Sequence, residues 1–213
     1  MALTLYGYWR SSAAYRVRIA LNLKGIVYES VAIDLVQGAQ HAPEYVARNP
    51  QGLLPALDLG DTVLTQSLAI IAYLDATHPA PALLPHDPVA RAQAMAQALV
   101  IAADIHPIDN LRVLNHLTTQ FGADQAARED WYRHWIVEGL TALETMTVAL
   151  PGPFLGGEAP NIADICLVPQ LYNARRFSVP LDAWPRLVAA DTAAAALPAF
   201  AIAHPDRVKP GAA

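Results

Sequence analysis

A chain of 213 residues, 54% hydrophobic and 15% charged, can bury one sizeable core or two small ones, and its net charge of −5 leaves no broad basic surface for nucleic acid. No run approaches the ~18 apolar residues that cross a bilayer, and the opening MALTLYGYWR lacks the basic-then-apolar order of a secretory signal. One cysteine, Cys166, permits no internal disulfide, and the seven histidines form neither an HExxH pattern nor a Cys–His cluster; the expectation is a cytosolic protein with no membrane, nucleic-acid or metal role.

LTLYGYW reads as a strand, and Ser12–Lys24 as a helix closed by Gly25 in the C′ position. VYESVAID alternates apolar and polar residues, as a half-buried strand does, and a short helix is predicted over Pro43–Arg48. LPALDLGDTVLTQS then gives two strands around a Gly60–Asp61 turn. Ser67–Thr77 closes the unit as a helix with Leu68, Ile71 and Leu74 on one face. The order β-α-β-α-β-β-α describes a small α/β sheet with helices packed on it. HPAPALLPHDP, with Pro79, Pro81, Pro85 and Pro88, cannot continue a helix and reads as an extended connection. Beyond it the pattern is helical, over Val89–Leu117, Asp124–Leu150, Asn161–Arg175 and Arg186–Ala196. Asn161 is placed to cap its helix, with Asp164 three residues on to bond back, and Pro169 is expected to kink it. The predicted division is an α/β domain over residues 1–78, a linker over 79–88 and an all-α domain over 89–213.

The opening YWRSSAAYRVRIAL concentrates cations and hydroxyls where a strand turns into a helix. Free N–H groups and the positive end of the helix dipole favour an anion there. Ser11 or Ser12 could donate to a thiolate and Arg10 hold a carboxylate; equally, either serine could simply cap the helix. Pro55, after Leu54 and just before a strand, blocks a ladder bond; a cis bond there would free the Leu54 backbone for another partner. Gln66 and Ser67 sit at a second helix N-terminus, again either an anion site or a cap. Together these elements would cradle an extended peptide bearing a carboxylate and a sulfur. Arg18 is expected in ion pairs at a surface or domain interface, an alternative also open for Arg16, Cys166 in the core, and DWYRHW in an aromatic packing face.

Six stretches in order, RSSAAYRVRIALNLKG, NPQGLLPALD, TQSLAIIAYLD, HPAPALLPHDP, IHPIDNLRVL and ADICLVPQLYNARRFSVPL, span residues 10–181. In them the chain resembles the zeta-class glutathione transferases, which include maleylacetoacetate and maleylpyruvate isomerases. The resemblance implies the glutathione transferase fold, an α/β N-terminal thioredoxin-like domain plus an all-α C-terminal domain, in a homodimer. It implies that Ser11 and Ser12 face the glutathione sulfur, and that Gln40, Leu54, Gln66 and Ser67 hold its peptide backbone and γ-glutamyl end. His106, Asn110 and Arg112 would join them from the helical domain, and Arg176 would reach in from the helix begun at Asn161. His106 has a second reading, as a buried histidine fixing a helix kink before Pro107. One departure is Ala13, where the family's Ser-Ser-Cys pattern has cysteine; this argues against a protein thiol as nucleophile. His106 and the pair Arg175–Arg176 resemble the maleylpyruvate type, Gln40 the maleylacetoacetate type, and the two substrates stay open.

The implied reaction is cis–trans isomerisation of a maleyl keto-acid, with glutathione as a catalytic cofactor that adds to the alkene and is released unchanged. It asks for an ionised thiol, for positive charge where the keto oxygen becomes anionic, and for partners to the substrate's carboxylates. Ser11 and Ser12 answer the first; Arg10 and Arg176, with Arg112 or Arg175 as a third, answer the others, and His106 is a further substrate contact. The alternatives are a transferase acting on small electrophiles such as α-halo acids and a non-catalytic interaction module of the same fold. Only the transferase would consume glutathione.

Overall fold

A computed structural model of the chain describes residues 3–211. Its elements are β1 (Leu3–Gly7), α1 (Ser12–Leu23), β2 (Tyr28–Ala32), α2 (Pro43–Val46), β3 (Ala56–Asp58), β4 (Val63–Thr65) and α3 (Ser67–Thr77), followed by α4 (Pro88–Leu99), α5 (Leu111–Phe121), α6 (Gln125–Thr147), α7 (Ile162–Arg176), α8 (Pro185–Ala195), α9 (Pro198–Ala201) and α10 (Pro205–Val208). They fall into two compact units. One comprises residues 3–83 together with 195–211, the other residues 84–194. The C-terminal stretch thus groups with the α/β unit rather than with the helices, where the sequence reading placed it.

In the first unit four strands form a mixed sheet in the order β2-β1-β3-β4. β1 pairs parallel to β2, as a strand–helix–strand crossover through α1 requires, and antiparallel to β3. β3 and β4 make the hairpin expected around Gly60–Asp61. β2 is an edge strand with most of its residues exposed, so its alternating pattern does not mark a half-buried strand: it pairs on one side only. α1 is buried continuously from Ser12 to Leu21. It packs against α3 and α9, so a helix with a sheet, a second helix and the C-terminal stretch around it has no solvent face to give its arginines. Lys24, capping its C-terminal end, reaches Asp75 at 2.7 Å and the His78 carbonyl, closing α1 onto the end of α3.

In the second unit the single helix expected over Val89–Leu117 is three pieces. α4 passes into a π-helical turn, Val100–Ile105, and α5 begins only after Asn110. Pro107 has no N–H to continue the ladder, and Asn110 restarts the helix by accepting the Arg112 N–H at 3.1 Å. The capping box at the start of α7 is present as expected, and α7 continues through Pro169 to Arg176. Asp164, fully buried, also accepts the N–H groups of Leu155 at 2.7 Å and Gly156 at 3.0 Å, so one carboxylate fastens the preceding loop to the helix.

Candidate active site

The candidate site of the first unit is built where β1 ends and α1 begins. Ser11 N–H donates to the Tyr8 carbonyl at 3.0 Å, forming the turn, and the Ser11 hydroxyl oxygen accepts the Ala14 N–H at 3.2 Å. Ser11 is therefore the N-cap, yet the two readings of this serine are compatible. A hydroxyl that accepts one bond still has its own proton to donate. Ser12 is buried at the first helical position, and Ala13 beside it is buried too. The Arg10 guanidinium lies over the Trp9 ring at 5.3 Å.

A second wall comes from the segment before β3. The Leu54–Pro55 bond is cis. Tyr45 and Asn49 side chains both donate to the Leu53 carbonyl, at 2.6 and 2.7 Å, which fixes the backbone at the residue before Leu54. Burial pushes the Tyr45 phenol up to about 12, so it stays a neutral donor. Gln40, in a single 3₁₀ turn over Ala39–His41, is buried, and its Oε1 meets no hydrogen-bond donor among the described residues. A buried amide oxygen of that kind suits a donor from a bound molecule.

The third wall is the start of α3. Gln66 holds φ 66°, ψ 115°, a region that non-glycine residues occupy at a cost, and strain of this sort clusters at ligand sites. Its side chain is steadied by Gln51 at 2.8 Å. Ser67 is buried, and the Arg16 guanidinium donates to its hydroxyl oxygen at 3.4 Å. That leaves the Ser67 proton to donate and places a buried positive charge behind a helix N-terminus. Arg16 is thus drawn to a site residue rather than to a surface ion pair.

Arg18 likewise departs from its expected surface or interface ion pair. It is 4% exposed and donates to the carbonyls of Trp9 and Ala203. Sequence reasoning gave neither arginine its place. The one available clue was two cations, two residues apart, in a helix whose other residues are nearly all apolar.

The remaining predicted residues lie in the second unit. His106 follows the π-helical turn, its N–H bonded to the Ile101 carbonyl at 2.9 Å. Asn110 is occupied as the α5 N-cap, and Arg112 is exposed one residue into that helix. Arg175 forms an ion pair with the buried carboxylate of Asp191 at 2.6 Å, while Arg176, also exposed, is steadied by Asn173 Oδ1 at 2.8 Å and lies over Phe177. Between His106 and Asn110 sits a group the sequence reading passed over. Asp109 is 4% exposed, neither carboxylate oxygen is hydrogen-bonded among the described residues, and burial pushes its carboxyl up to about 8. Its apparent role in a polar loop sequence, HPIDN, hid the burial. Cys166 is fully buried, as a core residue.

The family described as Glutathione S-transferase, N-terminal domain, matches residues 1–76. A maleylacetoacetate isomerase of Rhizobium meliloti is 52% identical over 207 residues, covering 97% of each chain. The chain belongs to the zeta-class glutathione transferases. Among solved zeta-class structures, a bacterial maleyl pyruvate isomerase in its holo form superimposes with a TM-score of 0.95 at 44% identity, over 99% of this chain and 100% of that one. A maleylacetoacetate isomerase of Methylobacterium extorquens, with malonate and glutathione bound, gives a TM-score of 0.94 at 44% identity, over 99% of each chain. Within this class, then, the three walls of the first unit belong to the domain that carries the family's name, and its fold is the glutathione transferase fold expected from the sequence.

Proposed function

We propose that this protein is a glutathione-dependent cis–trans isomerase of maleyl keto-acids, working as a cytosolic homodimer on small dicarboxylate substrates. The observation that carries the reading is the cradle of the first unit: a capped helix N-terminus with a spare hydroxyl proton, a backbone before Leu54 fixed by Tyr45 and Asn49, and a strained Gln66 leading into Ser67. Relatives named maleylacetoacetate and maleyl pyruvate isomerases, one of them holding glutathione together with a dicarboxylate, support it.

Bound glutathione supplies a thiolate whose reversible addition to the alkene lets the former double bond rotate before the thiolate leaves again. The chain's own residues prepare that chemistry. The N-terminal N–H groups of α1 and the Ser11 or Ser12 hydroxyl favour the ionised sulfur. Gln40 Oε1 accepts a peptide donor, the Leu54 backbone pairs with the extended peptide, and Gln66 with Ser67 holds its γ-glutamyl end. Arg16, behind Ser67, adds charge complementary to the γ-glutamyl carboxylate. His106, Asn110 and Arg112 are assigned by family likeness to the same ligand.

Arg10 and Arg176 hold the anionic substrate and the charge that develops on its keto oxygen. Between the two arginines ending α7, Arg176 is the better choice, because Arg175 is already committed to Asp191. The absence of cysteine from the first unit is no obstacle, since the reacting thiol belongs to the cofactor. The test is product analysis by NMR with maleylpyruvate and maleylacetoacetate in turn. Formation of the fumaryl isomer supports the proposal, and the faster substrate names the type. Release of halide from an α-halo acid, with neither keto-acid converted, would overturn it in favour of a transferase.

A further inference from the structure

We infer that Arg18 is a positioning residue for the sulfur-binding turn: its guanidinium fixes the Trp9–Arg10 peptide plane and ties that plane to the C-terminal stretch at Ala203. The inference deepens the function proposed above and rests on it.

Arg18 lies deep in α1, and its side chain leans back toward the helix N-terminus, the direction long side chains take on a helix. One Nη donates to the Trp9 carbonyl at 3.0 Å and Nε donates to the Ala203 carbonyl at 3.1 Å. Because a peptide unit is planar, holding the Trp9 carbonyl also sets the direction of the Arg10 N–H and the path of the chain into Ser11. The neighbouring contacts repeat the link. The Arg18 guanidinium lies 5.2 Å from the Tyr15 ring, and that ring meets His204 edge-on at 6.1 Å. The Trp9 indole takes Lys209 from the C-terminal stretch at 5.3 Å, as well as Arg10. Asn22, further along α1, donates to the Ala199 carbonyl at 3.0 Å.

A packing role alone would not call for this residue. A methionine or leucine would fill the space, whereas a cation at 4% exposure loses most of its hydration. Burial pulls Arg18 down to about 10, with Tyr28 and Tyr15 acting against it, so it remains charged at neutral pH. Among the described residues its hydrogen bonds go to carbonyls and not to a carboxylate. What a guanidinium offers in exchange for its burial is a rigid set of divergent donors that can hold two backbone segments at once. Lysine, a single flexible ammonium, cannot reproduce that fork.

The test uses the full chain with Arg18→Met and Arg18→Lys, and two readouts. The first is the pKa of the glutathione thiol in the complex, followed by thiolate ultraviolet absorbance. The second is backbone hydrogen exchange at residues 8–14 and 199–204, with α3 as the internal reference. Arg18→Met is expected to raise the bound thiol pKa by about one unit, about a tenfold fall in the thiol's ionisation constant. Exchange should quicken in both segments while α3 is unchanged. Arg18→Lys should fall between the two, and it carries the same readouts if the methionine variant does not fold. A lower unfolding midpoint with thiol pKa and local exchange unmoved would overturn the inference and leave Arg18 a core filler. If the wild-type protein binds glutathione without acidifying its thiol, the functional proposal fails instead, and hydrogen exchange alone then decides whether Arg18 joins the two segments.

Discussion

Asp109 shows how a single buried group sets a pH dependence. Its carboxyl ordinarily titrates near 3.8 and burial raises it to about 8. Below the ordinary value both folded and unfolded chains carry the proton, and the group contributes nothing. Between the two values the unfolded chain ionises while the folded one does not, so stability falls steadily as pH rises, until the loss levels off above about 8. Asn keeps the shape and never ionises. Asp109→Asn should therefore match the parent near the acid end and be more stable by about 1–3 kcal/mol at neutral pH, measured by denaturant unfolding across the pH range. An unchanged difference at all pH values would mean the carboxyl is ionised in the fold. Arg176 makes the opposite kind of prediction, since it lies exposed at the end of α7. Arg176→Ala should lower kcat/KM for the keto-acid about 100-fold with little change in glutathione affinity by calorimetry, a loss of about 2.7 kcal/mol in transition-state binding. Equal losses in both would place this arginine on the cofactor instead.

At the scale of elements, α7 depends on Asp164 more than on any cap of the ordinary kind. Its carboxylate accepts three backbone N–H groups, from Leu155, Gly156 and Asn161, the first and last in bonds buried from water. Burial pushes this carboxyl up while those three bonds pull it down. Asp164→Ala orphans every donor at once and should destabilise the protein by about 3–5 kcal/mol in denaturant unfolding, against about 1 kcal/mol for an exposed cap such as Asp124→Ala. Similar losses for the two would show that solvent reaches the α7 box. This box was legible because its two partners are three residues apart. The hairpin at Gly60–Asp61 and the span of α3 were legible for the same reason: turn chemistry and periodicity act locally. The break inside Val89–Leu117 was not, since Pro107 and Asn110 sit in a stretch whose apolar spacing is helical on both sides. The burial of α1 on all sides was hidden too, because it is decided by what packs on it.

Over the whole molecule, the resemblance carried the fold, and the local pattern supplied the order of strands and helices. What escaped the sequence is non-local and rests on the backbone. Residues 195–211 join the first unit through carbonyls of Ala199 and Ala203, and a carbonyl leaves no trace in the identity of its residue. The site was legible to a matching degree. Ser11, Leu54, Gln66 and Ser67 stand at chain reversals marked by serine, proline and helix starts, while Arg16, Arg18 and Asp109 owe their importance to burial that the sequence does not display. No helix among the described residues is long and apolar enough to cross a membrane. The measurement that bears most directly on the proposed chemistry is the number of keto-acid molecules isomerised per glutathione, with glutathione far below substrate and total free thiol followed throughout. Many turnovers per glutathione, no net loss of thiol and no reaction without it are expected. Product formation that stops at one equivalent, or proceeds as fast with no glutathione present, would contradict that chemistry.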